Sequence, residues 1–193
     1  MTALIVLGVI LGTTLIIVLL IIAMRNGIVR GKNAVERAWA NVITQERYKV
    51  KVIPKLTKAL SEYKEFEQDL QTKITELRTA MGKLSDKVVD VSALRKTEGL
   101  IQGLMSGVNV AVEAYPDLKT SDLYRSWMRE LSEAESNVAA AIRIFNQNVE
   151  SFNNSLEVFP SNMVNEWFNK ETAVDTFTDT EAEAGLEYKP NFG

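Results

Sequence analysis

The chain opens on a block with no polar rhythm. From Ala3 to Met24 it runs 22 residues without a charge, most of them Leu, Ile and Val. A helix of that length rises about 33 Å, enough for a hydrocarbon core of about 30 Å. Thr13 and Thr14 can bond back to the helix carbonyls and so are tolerable in lipid. The block predicts a membrane anchor over residues 1–25. A cleaved signal peptide would carry positive charge before a shorter apolar run and small residues at a cleavage site. Here the run is long and Met-Arg-Asn-Gly follows it.

Gly27 and Gly31 then read as a short joint, and from Val35 a different pattern takes over. Positions 35, 39, 42, 46, 49, 53, 56, 60, 63, 67, 70, 74, 77 and 81 alternate steps of four and three, and eleven of these fourteen are apolar. That is the seam of a bundle or coiled-coil helix. Pro54 sits within it and predicts a kink, because it lacks an N–H and crowds the carbonyl of Val50. The run ends near Gly82, and a loop follows. A second stretch, about Ser92 to Ala114, has the seam Leu94, Glu98, Ile101, Met105, Val108, Val112 and carries Gly99, Gly103 and Gly107 on one face. Each glycine costs about 1 kcal/mol of helix propensity against alanine, so the row predicts either tight packing of another backbone or a weak helix. Tyr115-Pro116-Asp117 stops it, and Ser121 or Asp122 caps a third helix. Its seam runs Tyr124, Met128, Leu131, Glu135, Val138, Ile142, Phe145, Val149, Phe152, Leu156. Phe159-Pro160 ends it. A short amphipathic turn bearing Met163, Val164, Trp167 and Phe168 follows. The fold class is therefore all-α: a single transmembrane helix, then an antiparallel bundle of long helices with a kinked first member over 26–170.

Charge sharpens the ends of this scheme. The 22 Lys and Arg and 25 Asp and Glu all lie outside the apolar block, so the mean hydropathy near zero averages a greasy segment with a water-soluble one. Arg25, Arg30 and Lys32 follow the span at once and no base precedes it. The positive-inside rule then places the C-terminal part in the cytoplasm and the N-terminus outside. Residues 171–193 hold six acids against one Lys and lack an apolar period, which reads as a mobile acidic tail. Without them the balance of charge gives no nucleic-acid signature, and no glycine-rich phosphate loop follows a strand.

The chain has no histidine and no cysteine. Zinc fingers, thiolate clusters, disulfides, Ser-His-Asp and Cys-His nucleophiles and histidine acid–base chemistry are excluded. Carboxylate, Lys or Tyr chemistry is not. Glu46, Glu67, Glu98 and Glu135 sit on otherwise apolar seams. Carboxylates facing one another in a bundle can hold a metal, but the dinuclear motif also needs Glu-x-x-His. The structural reading has Glu67 and Glu135 paired with an Arg such as Arg143, Arg78 or Arg47, fixing helix register. Arg47, Lys49, Lys51, Lys55 and Lys58 form a basic run, read as a solvated face or as a contact for anionic headgroups. Gly8 and Gly12 form a G-x-x-x-G, which serves either close helix–helix approach or nothing more than two small residues facing lipid. Trp167 and Phe168 either cap the end of the bundle core or dip into a membrane interface or partner. Tyr115, Pro116 and Asp117 serve as plain helix termination or as a docking corner.

Several strings together resemble the LemA family of bacterial proteins: NAVERAWANV at 33–42, VIPKL at 52–56, VEAYPDLK at 112–119, the spaced Arg143, Asn146, Val149, Asn153 pattern, and FPSNM at 159–163, all behind an N-terminal apolar helix. The resemblance implies an N-out anchor in the bacterial inner membrane with a cytoplasmic antiparallel bundle, no established enzymatic activity and no cofactor. Relatives are associated with magnetosome formation and with genes for membrane proteases, which implies a membrane-organising or adaptor role. The expected partners are the bilayer, further copies of the chain and a membrane protein. This sequence departs from the family before Pro54, where ERYKVKVIPKL has no acid after Glu46. The leading expectation is a non-enzymatic scaffold or adaptor. The competing one is a carboxylate-lined bundle that binds a metal or small ligand.

Overall fold

The computed structural model describes residues 1–55 and 64–178, and of residues 64–68 and 119 the backbone alone. Every regular element among the described residues is helical. Helix α1 covers Thr2–Val52, α2 Lys64–Lys83, α3 Val91–Ala114, α4 Pro116–Thr120, α5 Asp122–Glu157 and α6 Ser161–Val164, and a π-helical turn follows at Asn165–Asn169. The described chain divides into two compact units, Met1–Arg37 with Gln147–Asp175, and Ala38–Asn146 with residues 176–178.

In the second unit the break at Pro54 goes further than a kink. α1 ends at Val52 and residues 53–54 form a turn. By Leu84 and Ser85 the chain is back beside α1: the Trp39 indole donates to Ser85 O at 2.9 Å and the Arg47 guanidinium to Leu84 O at 3.3 Å. The single seam read from Val35 to Met81 is therefore two antiparallel helices. Asp90 caps α3 by accepting from Ala93 N at 2.8 Å, which satisfies one of the free N–H groups of a helix start. α3 packs on α2 and is tied to α1 through Lys49 and Glu98. Ser121 Oγ accepts from Tyr124 N at 3.2 Å, capping α5 as its sequence suggests. α5 then runs back down α1, with Trp127 at Val52 and Phe145 against Trp39, ring centroids 5.4 Å apart. The result is an up-down-up-down arrangement around Trp39, Ile43, Leu77, Leu94, Leu104 and Phe145, all almost fully buried.

The buried faces are rotated from the expected seams. α3 buries Leu104 and Ala111 rather than Met105 and Val112. α5 buries Trp127, Ala134 and Ala141 in the column where Met128, Glu135 and Ile142 were expected. Alanine lets neighbouring helices come close, so these columns carry the bundle's contacts, while the larger residues beside them lie at its edge.

In the first unit α1 continues unbroken through Gly27 and Gly31, where a joint was expected. Gly31 lies where Phe152 of α5 crosses: a Cβ there would stand 3.2 Å from Phe152 Cδ2, whereas at Gly27 it would meet nothing within 4 Å. The stretch from Ala3 to Met24 is long and apolar enough to cross a membrane, and none of its most apolar window is buried.

Candidate functional site

The most unusual chemistry lies inside the second unit. Glu46 is fully buried and Lys49, one turn on, is 4% exposed. Lys49 Nζ stands 2.6 Å from Glu98 Oε1 of α3 and 3.5 Å from Glu46 Oε1. Neither oxygen of Glu46 accepts a hydrogen bond. A buried carboxylate without donors is costly, and burial pushes the Glu46 carboxyl up to about 9, with the Glu98 carboxylate raising it further and Lys49 opposing. At neutral pH Glu46 is therefore a neutral acid. In that form it can donate a hydrogen bond to the Glu98 carboxylate. Burial would raise Glu98 too, but the hydrogen bond from Glu46 and the Lys49 ammonium outweigh it and hold Glu98 below the usual range. Lys49 is desolvated, yet Glu46, Glu98 and Glu135 together keep its ammonium charged and its pKa raised.

A cleft of about 390 Å³ opens beside this cluster, lined among others by Lys49, Arg95, Glu98, Gly99, Glu135 and Phe177. Among the described residues no group of three or more acids is placed to hold a metal ion. Glu135 is exposed at the cleft, Arg143 is exposed elsewhere on α5, and no ion pair joins them among the described residues. The side chain of Glu67 lies outside the described residues. Among the described residues, Glu46, Lys49 and Glu98 form the buried pairing. The basic run places Lys49 on a solvated face or against anionic headgroups, yet Lys49 occupies a seam position one step from Glu46, and that shared phase was the available signal of its burial. Arg47 and Lys51 are exposed, and Lys55 pairs with Glu130 of α5.

Among the described residues, the glycine row of α3 holds no backbone against it. A Cβ on Gly99 or Gly103 would meet nothing within 4 Å, and one on Gly107 would meet only the tip of Lys73 at 3.3 Å. Gly8 and Gly12 are equally open. The Tyr115-Pro116-Asp117 corner is a helix junction: Pro116 starts α4, and Tyr115 closes α3 by donating its N–H to Ala111 O at 3.0 Å.

Within the first unit the turn after α5 is anchored by buried Val164 and leaves Trp167 and Phe168 more than half exposed. They do not cap a core. Asn169 Nδ2 donates to Arg25 O at 3.1 Å, and Lys32 pairs with Glu171 at 2.9 Å. The segment read as a mobile tail begins docked. Asn165 binds both N and O of Glu171, and Asn153 both N and O of Val174. In the second unit Asn146 does the same for Phe177, at 2.9 and 2.7 Å. Residues 179–193 lie outside the described residues.

A model of the LemA family matches residues 38–189. The chain belongs to the LemA family. Among its relatives, Protein LemA of Metamycoplasma hominis is 32% identical over 143 residues, 74% of this chain and 64% of that protein. The chain thus spans just under two thirds of the length of that relative. The Asn146 and Asn153 that carried the LemA resemblance are two of the three asparagine clamps. Each amide offers one acceptor and donors to a passing peptide unit, much as a neighbouring strand would. The role of these residues in this chain is legible only with the docked segment in view.

Proposed function

We propose that this LemA protein is a membrane-anchored, non-enzymatic scaffold or adaptor of the bacterial inner membrane, crossing it once with the N-terminus outside and the helical domain in the cytoplasm. The observation that carries this reading is the uncovered apolar stretch of α1, followed at once by Arg25, Arg30 and Lys32. Positive charge at that flank favours the cytoplasmic side. Copies associate through the span, where Gly8 and Gly12 leave open space for a second helix to approach, and the open glycine face of α3 and the Tyr115-Pro116-Asp117 corner are surfaces for further copies or a membrane protein. Reporters fused at either end test the topology: a C-terminal reporter active only outside the cytoplasm overturns it. In-cell crosslinking tests the association, which Gly8→Leu with Gly12→Leu should abolish.

A second reading is favoured by the cleft beside Lys49. A small polar ligand there would meet Arg95, Glu98 and Glu135 against an apolar wall. Native mass spectrometry of the protein purified from its host reads this directly, and an adduct lost on Ala139→Phe, which fills the cleft, would support it.

A further inference from the structure

Beyond the apolar run of α1, the turn that follows α5 exposes a second concentration of apolar surface in the first unit. Val158 is 60% exposed, Phe159 74%, Met163 39%, Trp167 62% and Phe168 52%. In water such a patch is costly, at about 25 cal/mol per Å² of apolar surface. Yet the turn is built rather than slack. Val164 is buried beneath it, Lys170 N closes the π-helical turn on Asn165 O at 2.7 Å, and Lys170 ends it in the left-handed region with φ 53°.

Its position says what covers it. Asn169 is hydrogen-bonded to the carbonyl of Arg25, the first charged residue after the apolar run, and Lys32 holds Glu171 a little further along the same helix. Trp167 and Phe168 are two and one residues from Asn169, within about 7 Å of it along the chain. The headgroup region on each side of a bilayer is about 5–7 Å deep by the difference between total and hydrocarbon thickness. Tryptophan and other aromatics favour that layer, where the ring is half wet.

We propose that residues 158–168 form a second membrane contact, seated in the headgroup layer of the leaflet from which α1 emerges, with Trp167 and Phe168 as its wedge. This rests on the anchoring reading above and adds to it a fixed contact between the folded domain and the lipid surface. Bases at the same level, Arg25 and Arg30, are exposed and meet anionic headgroups.

The chain has no cysteine, so single-cysteine variants Phe168→Cys and Leu15→Cys of the full chain can each carry an environment-sensitive fluorophore. Each is reconstituted in phosphatidylcholine–phosphatidylglycerol vesicles with nitroxide lipids labelled either at the headgroup or near the bilayer centre. The 168 probe should lose emission mainly to the headgroup label, and the 15 probe mainly to the central one. A 15 probe quenched by the central label beside a 168 probe quenched by neither overturns the second contact and leaves the anchor standing. A 15 probe untouched by either label overturns the anchor and this contact together. A 168 probe quenched chiefly from the centre shows deep insertion and also refutes headgroup seating. Intrinsic fluorescence gives a reading on the native sequence: Trp39 and Trp127 are 0% and 3% exposed, so lipid-borne quenchers should dim Trp167 alone, and loss of that quenching in Trp167→Phe assigns it. Emission indifferent to lipid-borne quenchers refutes the contact without any variant.

Discussion

The Trp127 indole donates to the main-chain carbonyl of Val52 at 3.1 Å in a wholly buried contact. That carbonyl belongs to the last turn of α1, where helix geometry leaves acceptors without partners. Trp127→Phe keeps the ring in the core but leaves the carbonyl unsatisfied, a loss of about 1–3 kcal/mol. Thermal unfolding of the detergent-solubilised chain, followed by circular dichroism, should show a lower midpoint than wild type.

Glu46 makes stability depend on pH. Its folded pKa is about 9 against an ordinary 4.5, so between those values the folded chain binds a proton that the unfolded chain has released. By linkage, stability falls as pH rises through this window. Lys49 adds a loss only in the alkaline range, since its raised pKa favours the charged folded form until the ammonium titrates. Glu46→Gln keeps the shape and a donor toward Glu98 without the titration. Its melting temperature should stay level between about pH 5 and pH 9 while that of the wild type falls by several degrees. A wild type as flat as the variant would mean that Glu46 is ionised in the fold.

Gly27 and Gly31 separate helix propensity from packing. Gly27→Ala meets open space, so the helix should gain about 0.5–1 kcal/mol. Gly31→Ala puts its methyl 3.2 Å from Phe152 Cδ2, and Phe152 is 2% exposed with little room to yield. It should fall below Gly27→Ala by about 1–2 kcal/mol, in the range of other overpacked sites, in paired melting curves.

The asparagine clamps should act one by one. Asn153→Asp retains an acceptor for Val174 N but loses the donor to Val174 O and sets a charge against that carbonyl. Asn146→Leu removes both bonds to Phe177. Each variant should release part of residues 171–178, read as faster limited proteolysis after Glu171 with the helical content unchanged.

Much of the architecture was legible because long apolar periods are strong signals. The helices, the breaks at Gly82, Tyr115 and Phe159, and the cap at Ser121 follow from spacing and turn chemistry. What misled was phase. In α5 both Ala134 and Glu135 are compatible with the steps of the seam, and size alone favours Glu135 and Ile142 over Ala134 and Ala141. Close helix approach favours the alanines, so Glu135 leaves the core. The antiparallel return after Pro54 was hidden because the seam resumes at Leu56 in the same register it had before. Lys49 looked solvated because neighbouring bases are; its seam phase, shared with Glu46, hinted otherwise, and the contact with Glu98, 49 positions away, explains its burial. The docking of residues 171–178 left no trace in hydropathy, since asparagine side chains hold it through its main chain.

Those three amides grip peptide groups, which every residue but proline presents alike. Apart from Glu171, whose side chain pairs with Lys32, and the buried Phe177, the held segment is consequently free to exchange its side chains over evolutionary time without loosening its seat. The grip itself has no such latitude: aspartate lacks the donor, and glutamine reaches one methylene too far.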